Sequence, residues 1–350
     1  MITIAFAGWW TGWHIFPIKS LIENIDRKKY KILWFWRKNS LEEKISKELK
    51  DFWYNVIFIS ICAWKIRRQK DIKSIFKNII DVFKNLIGFF QSLFYIVKYK
   101  PVFIFSKWWF VAFNPSLAWK ICWKKVYLHE SDTIPWLVNK IVWKFADKVF
   151  VWFQETKRFF NSENTEFVWQ ILSNEIKKFS VKIVWKTNLI VVWWSQWAKI
   201  LIQIVKNLLD KWKLYNFNIF IIGWLLNSKN MFKNYPNVEF FEFIWQNKLF
   251  ELYSIADISL TRWSATSLAE QEYFNIKKII VPLPYTGWNH QYYNWLVYKN
   301  RWDYLLDQND ENFENKFFFL LNDLDWFKKE NKTNLSVLLW TNKVLKIILE

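Results

Sequence analysis

The chain has 350 residues, enough for two domains and a sizeable core, and its net charge of +19 asks for a polyanionic partner: nucleic acid, an anionic membrane face or a phosphorylated substrate. The lysines are spread along the chain and form no basic arm, so the charge by itself selects none of these. Two distant cysteines, Cys62 and Cys122, leave no disulfide framework, and His14, His129 and His290 are too few and too scattered for a zinc cage.

Short apolar runs alternate with helical patterns from the first residues. Ile2–Phe6 begins at once as a strand with no basic region before it, so no signal peptide is expected. Lys31–Phe35, Asn55–Ile59, Val102–Phe105, Lys125–Leu128 and Lys148–Val151 follow, with helices between. Strands separated by helices imply right-handed crossovers and a parallel sheet. Within Ile75–Tyr99 the apolar stretch Leu86–Val97 is about a dozen residues, interrupted by Gln91 and Ser92, where a bilayer span needs about 20. It reads either as a packed helix or as a Phe-rich face, rimmed by Lys84, Lys98 and Lys100, that sits on a membrane surface. The rhythm restarts after a polar linker near Ser173–Ser180, with Asn188–Val192, Phe217–Ile222, Val238–Phe240, Asp257–Leu260 and Lys278–Val281. The expectation is α/β, two Rossmann-like domains (residues 1–170 and 183–330) facing a cleft, with a closing C-terminal helix in 331–350.

The loops after these strands are rich in tryptophan where glycine belongs. Glycine is about 1.4% of the chain against an ordinary usage of about 7%, while 28 tryptophans stand beside 5 glycines. Taken together the two types make up about 9%, a normal glycine load for an α/β enzyme. The tryptophans cluster in doublets (Trp9-Trp10, Trp108-Trp109, Trp193-Trp194) and at strand ends, positions that call for positive φ or close backbone approach. We read most of them as glycines from a gene in which UGA encodes glycine.

Read in that way, Gly8–His14 becomes GGGTGGH between a strand and a helix N-terminus, a phosphate-holding turn that includes Thr11, Gly12 and Trp13. His14, with an ordinary pKa of about 6.5, suits removal of a proton from a hydroxyl, or else only bonds the backbone at a helix start. Leu128–Lys140 carries His129-Glu130-Ser131-Asp132, Pro135-Trp136 and Asn139, polar groups that a strand end would solvate unless they serve a site. Val191–Ala198 reads VVGGSQGA with Ser195 and Gln196. Thr261–Glu270 reads TRGSATSLAE, where a carboxylate inside a helix that starts at a ligand can accept both ribose hydroxyls. Val281–Asn294 reads VPLPYTGGNHQYYN.

These segments, in this order over roughly residues 1–310, resemble the MurG family of glycosyltransferases. The resemblance implies a GT-B fold and inverting transfer of N-acetylglucosamine from UDP-GlcNAc to undecaprenyl-pyrophosphoryl-MurNAc-peptide in peptidoglycan synthesis, at the cytoplasmic face of the plasma membrane. It implies His14 or Glu130 as the base. It places the donor against Thr11, Gly12, Trp13, Asp132, Ser173, Ser195, Gln196, Ile244, Ala265, Thr266, Ser267, Leu268, Ala269, Glu270 and Gln291. Asp132 stands where the family has Asn, and Ser173 where it has Arg, so one amide donor and one bidentate anion contact are lost. No metal or cofactor is implied, UDP-GlcNAc being a substrate, and no Asp-x-Asp motif stands out. The alternatives are a transferase of the same fold with another acceptor, a basic nucleic-acid binder, for which no binding module is present, and a non-catalytic aromatic membrane-surface protein.

Overall fold

The computed structural model describes residues 1–8, 12–63, 71–107, 110–161, 163–177, 179, 186–192, 199–223, 228–242, 244–262, 264–282, 293, 304–323 and 337–350. The chain divides into two compact units, Met1–Asn174 with Val337–Glu350, and Glu175–Ser336. Every strand read from the sequence is present, its ends moved by at most two residues, because strands of a covered parallel sheet are near-continuous apolar runs.

The first unit runs β1 (Ile2–Gly8), α1 (Gly12–Glu23), β2 (Tyr30–Trp36), α2 (Leu41–Asp51), β3 (Val56–Ser60), α3 (Ile72–Tyr99), β4 (Phe103–Lys107), α4 (Phe110–Ile121), β5 (Lys125–Glu130), α5 (Leu137–Val142), β6 (Lys148–Val151) and β7 (Thr165–Phe167). All seven strands are parallel, in the order β3-β2-β1-β4-β5-β6-β7. Alternate residues feed two cores. Ile4, Phe6, Ile32 and Phe105 pack under α1 and α2, and Ala5, Leu33, Ile104 and Val126 pack under α3 and α4.

The second unit runs β8 (Thr187–Val192), α6 (Lys199–Asp210), β9 (Phe217–Ile222), α7 (Ser228–Met231), β10 (Val238–Phe241), α8 (Gln246–Ile255), β11 (Ile258–Thr261), α9 (Ala265–Tyr273), β12 (Lys277–Ile280), β13 (Tyr304–Leu305) and α10 (Phe313–Leu321). Its parallel sheet has the order β10-β9-β8-β11-β12-β13. The closing helix α11 (Val337–Leu349) belongs to the first unit, where Val344, Leu345 and Ile348 pack with Ile18, Leu21 and Ile22 of α1. Lys343 pairs with Glu166 and donates to the Phe167 carbonyl at 3.2 Å. β7 and β13 escape a sequence reading because two or three residues show no period.

Helix α3 has 28 residues and starts three residues before the Ile75–Tyr99 pattern, capped by Asp71, whose carboxylate accepts from the Ser74 N–H. Gln91 and Ser92 do not interrupt it: Gln91 accepts from the Cys62 N–H at 2.8 Å, and Ser92 donates to the Gly88 carbonyl at 2.8 Å. A Cβ on Gly88 would lie 1.8 Å from the Cys62 carbonyl oxygen, so α3 lies directly on that segment. By length and composition the helix could cross a membrane, but Phe89, Leu93, Tyr95 and Ile96 pack it on the domain. Its other face exposes Phe76, Ile79, Phe83, Leu86, Phe90 and Val97 to solvent.

Among the described residues three tryptophans take the left-handed conformation: Trp53 at φ 67°, Trp123 at φ 56° and Trp212 at φ 57°. Each follows a helix and closes it in the same manner. The Trp N–H bonds back to Lys50, Lys120 or Leu209, and the next N–H to Leu49, Trp119 or Leu208. This is the double-bonded helix end that glycine occupies by preference. All three indoles are at least 80% exposed, so packing does not hold them there. Trp34 and Trp119 are buried with no partner for Nε1 among the described residues, a cost of about 1–3 kcal/mol apiece. Trp53→Gly, Trp123→Gly and Trp212→Gly are each expected to stabilise the protein by about 1 kcal/mol in denaturant melts, while Ala at the same positions gains nothing comparable. Peptide masses of the native protein across these positions are expected to give glycine. An equal gain from Ala would remove the conformational argument.

Candidate active site

In open parallel sheets ligands sit beyond the strand carboxyl ends where the strand order reverses, here between β1 and β4 and between β8 and β11. Each point is built from loops that the sequence marked.

In the first unit β1 ends at Gly8, and Gly12, Trp13 and His14 form the first turn of α1. Thr11 lies outside the described residues. Gly8 is tightly enclosed: a Cβ there would lie 2.1 Å from Ile18 Cδ1 and 3.5 Å from the Lys107 carbonyl oxygen. Parallel register sets Gly8 beside Lys107 and Lys107 beside His129. The Lys107 side chain is fully buried, and its Nζ has no hydrogen-bond partner among the described residues. Burial pushes the amine down to about 7, against the pull of the Glu130 and Asp132 charges. On α2, Glu42 is also buried, and burial pushes its carboxyl up to about 7.

Beside Lys107, β5 ends in His129-Glu130. The His129 ring stacks on Phe105 with centroids 6.3 Å apart, and its Nδ1 is 3.4 Å from Ser131 Oγ. Glu130 gathers the loop that follows it. Oε1 accepts from the Asp132 N–H at 2.8 Å, while Oε2 accepts from Asn139 Nδ2 at 2.8 Å and from the Trp136 N–H at 3.3 Å. Burial and then the Asp132 charge push the Glu130 carboxyl up to about 8, and these donors oppose the shift. The Asp132 carboxylate accepts from Trp136 Nε1 at 2.8 Å, and its carbonyl from Thr156 Oγ1 at 3.0 Å. Ser173 is buried in the segment that ends the unit.

In the second unit β8 leads into residues 193–198, so Ser195 and Gln196 lie outside the described residues, as does Gln291. β11 ends at Thr261-Arg262, and α9 starts after Ser264, with Ala265 its first residue. Arg262 Nη1 donates to the carbonyls of Val281 and Pro282 at 3.2 and 3.3 Å, tying the ends of two strands together. Burial pushes its guanidinium down to about 10.

Glu270, in the second turn of α9, is fully buried. Oε1 lies 3.5 Å from Gln246 Nε2, and Oε2 has no hydrogen-bond partner among the described residues. Burial raises its carboxyl well above the ordinary value. Thr266 is buried, and Ile244 nearly so, just before α8. Ser267 turns inward: its Oγ meets Tyr253 Oη at 3.2 Å and accepts from Gln271 Nε2 at 3.1 Å, and Gln271 Oε1 accepts from Ser259 Oγ at 2.6 Å. Leu268 and Ala269 are core residues, leaving their side chains no exposed surface.

The first unit thus assembles Gly8, the start of α1, Glu130 and Asp132. The second assembles the start of α9 with Glu270 and Ile244. Sequence reading missed Lys107, Gln246 and the Tyr253–Gln271 network. For Lys107 a signal existed: it closes a run of apolar strand residues, on the same alternation as Phe103 and Phe105.

The N-terminal domain of glycosyltransferase family 28 matches residues 4–151, and the C-terminal domain of the same family matches residues 188–317. The UDP-N-acetylglucosamine--N-acetylmuramyl-(pentapeptide) pyrophosphoryl-undecaprenol N-acetylglucosamine transferase of Sulfurihydrogenibium sp. is 30% identical over 302 residues, 85% of this chain and 82% of its own. Among solved structures, MurG of Acinetobacter baumannii superposes with a TM-score of 0.74 at 18% identity, covering 100% of this chain and 99% of that one. The UDP-GlcNAc 2-epimerase of Neisseria meningitidis, solved with UDP-GlcNAc, shares the fold with a TM-score of 0.65 at 13% identity over the whole of both chains. The two family domains in order, and a relative of this identity over most of both chains, show that the chain belongs to glycosyltransferase family 28, in its MurG branch.

Proposed function

We propose that the protein transfers N-acetylglucosamine from UDP-GlcNAc to the 4-hydroxyl of an undecaprenyl-pyrophosphoryl N-acetylmuramoyl peptide, inverting the anomeric carbon. The observation that carries this reading is the 30% identity to a transferase of that name over most of both chains. As the acceptor hydroxyl loses its proton to a base, its oxygen bonds to the sugar C1 and the C1–O bond to UDP breaks. The charge left on the diphosphate falls to helix N-termini, which supply a fixed positive field at a leaving phosphate.

Of the two candidate bases, His14 is the better supported. Glu130 is buried and its oxygens are occupied by three loop donors, so its part is to hold the loop. Glu270, buried and with one oxygen lacking a hydrogen-bond partner among the described residues, suits the two ribose hydroxyls, and Ile244 suits uracil through its backbone. Ala265, Thr266, Ser267, Leu268 and Ala269 would serve through backbone groups at the start of α9. With glycine at 136 the indole donor to the Asp132 carboxylate is absent. The exposed apolar face of α3 would place the protein on the cytoplasmic face of the plasma membrane, where a lipid-linked acceptor resides.

Glu270→Gln is expected to raise KM for UDP-GlcNAc about tenfold or more, as a lost hydrogen bond to a charged group costs about 1.5–3 kcal/mol. Only the ionised carboxylate accepts both hydroxyls, and burial raises its pKa in the empty site. Wild-type affinity for UDP therefore rises with pH through that titration, whereas the Gln variant stays flat; calorimetry across pH checks both, and identical profiles would refute the ribose role. Glu130→Gln is expected to lower stability by about 1–3 kcal/mol. Full stability with an abolished kcat would instead make Glu130 the base. Phe76→Asp, Phe83→Asp and Phe90→Asp combined are expected to abolish flotation with anionic liposomes while sparing transfer to a water-soluble acceptor analogue; unchanged flotation would remove α3 from the membrane contact.

A further inference from the structure

Helices α8 and α9 share a polar seam that is closed at one place and open at another. One face of α8 carries Gln246, Phe250 and Tyr253, whose spacing of four and three residues aligns them along the helix. They meet Ser267, Glu270, Gln271 and, just past the end of α9, Phe274. The rings of Phe250 and Tyr253 lie 5.9 and 5.7 Å from that of Phe274, which fixes how the two helices face each other. At Tyr253 the seam is closed. Its hydroxyl meets Ser267 Oγ at 3.2 Å and accepts from Gln271 Nε2 at 3.4 Å, and Gln271 Oε1 accepts from Ser259 Oγ at 2.6 Å.

At Gln246 the seam is open. Gln246 is the first residue of α8, half-buried, two residues after Ile244. Its Nε2 donates to Glu270 Oε1 at 3.5 Å, while two buried oxygens, Glu270 Oε2 and Gln246 Oε1, have no hydrogen-bond partner among the described residues. Buried acceptors without hydrogens are costly, so this end of the seam asks for a ligand that brings them. A diphosphate at its ionised oxygens brings none, whereas the paired hydroxyls of a ribose bring two. A carboxylate can serve both hydroxyls only while its plane is held. Burial raises the Glu270 carboxyl, and the contact with Gln246 opposes that rise.

We propose that Gln246 is a positioning residue for the donor nucleotide: its amide N–H holds Glu270 Oε1, fixes the plane of that carboxylate and so presents both oxygens to the two hydroxyls of the ribose. This rests on the assignment of Glu270 to the ribose made above. Oε1 has lone pairs for the amide and for one hydroxyl, and Oε2 accepts from the other. The open oxygen of Gln246 adds a further acceptor beside them, which repels phosphate and keeps the diphosphate away from this end of the seam.

The probes are UDP and dideoxy-UDP, which lacks both ribose hydroxyls, titrated calorimetrically into wild type, Gln246→Met, Glu270→Gln and the double variant. Met keeps the reach of Gln and removes both polar atoms. Wild type is expected to bind UDP at least about tenfold more tightly than dideoxy-UDP, and Gln246→Met to lose about tenfold for UDP while binding dideoxy-UDP as wild type does. In the Glu270→Gln background the same change is expected to cost less than about threefold, because the two side chains act as a unit. A merely structural role for Gln246 would weaken both nucleotides alike and cost the same in either background. Either result overturns the proposal, as does wild-type affinity for UDP in Gln246→Met. A wild type that binds both nucleotides equally well would instead refute the ribose role of Glu270, and the positioning role with it. Should Gln246→Met not fold, Gln246→Ala enters the same cycle.

Discussion

Parallel pairing is the constraint from which the candidate site follows. When every strand runs the same way, all carboxyl ends arrive at one edge, and the register decides which residues stand together there. Gly8, Lys107 and His129 are far apart in sequence and adjacent in space because β1, β4 and β5 pair in that register. At that edge Gly8 is enclosed: a Cβ there would lie 2.1 Å from Ile18 Cδ1, so a side chain could enter only if Ile18 moved.

Around that edge the chemistry is one of buried charge managed by neighbours. Glu130 is tolerated because three donors converge on it. Arg262 is tolerated because two carbonyls at the end of β12 accept its protons. Among the described residues Glu270 has one oxygen without a hydrogen-bond partner and a weak contact to Gln246 on the other. A buried acceptor that the protein leaves open is paid for elsewhere in the fold, and it discriminates strongly in favour of a ligand that brings hydroxyls.

The fold was legible in the sequence because apolar runs alternate with helices in a steady rhythm, and the glycine loops stayed legible once the tryptophans were read as glycines. Glu130, Asp132 and Glu270 could be named in advance because each sits in a patterned loop. Lys107 was passed over although it continues the alternation of Phe103 and Phe105, because one lysine at the end of such a run looks like the solvated end of a strand and pairing is what shows it enclosed. The facing of Ser267, Leu268 and Ala269 was likewise hidden, since a motif gives the helix and not its rotation. Within α3 the apolar stretch Leu86–Val97 looks too short for a bilayer span because Gln91 and Ser92 interrupt it, whereas in the helix each of the two finds a partner locally.

The course of the chain through its two units has a practical side. The first unit is made of two separate pieces, and α11 completes its core from the far end of the sequence. The second unit, Glu175–Ser336, is continuous and topologically an insertion in the first. A fragment ending before α11 would therefore carry its damage near the amino terminus, under α1, and not in the donor-side sheet beside the cut. Dissection of this enzyme into halves should excise the middle of the gene and keep its last codons with its first.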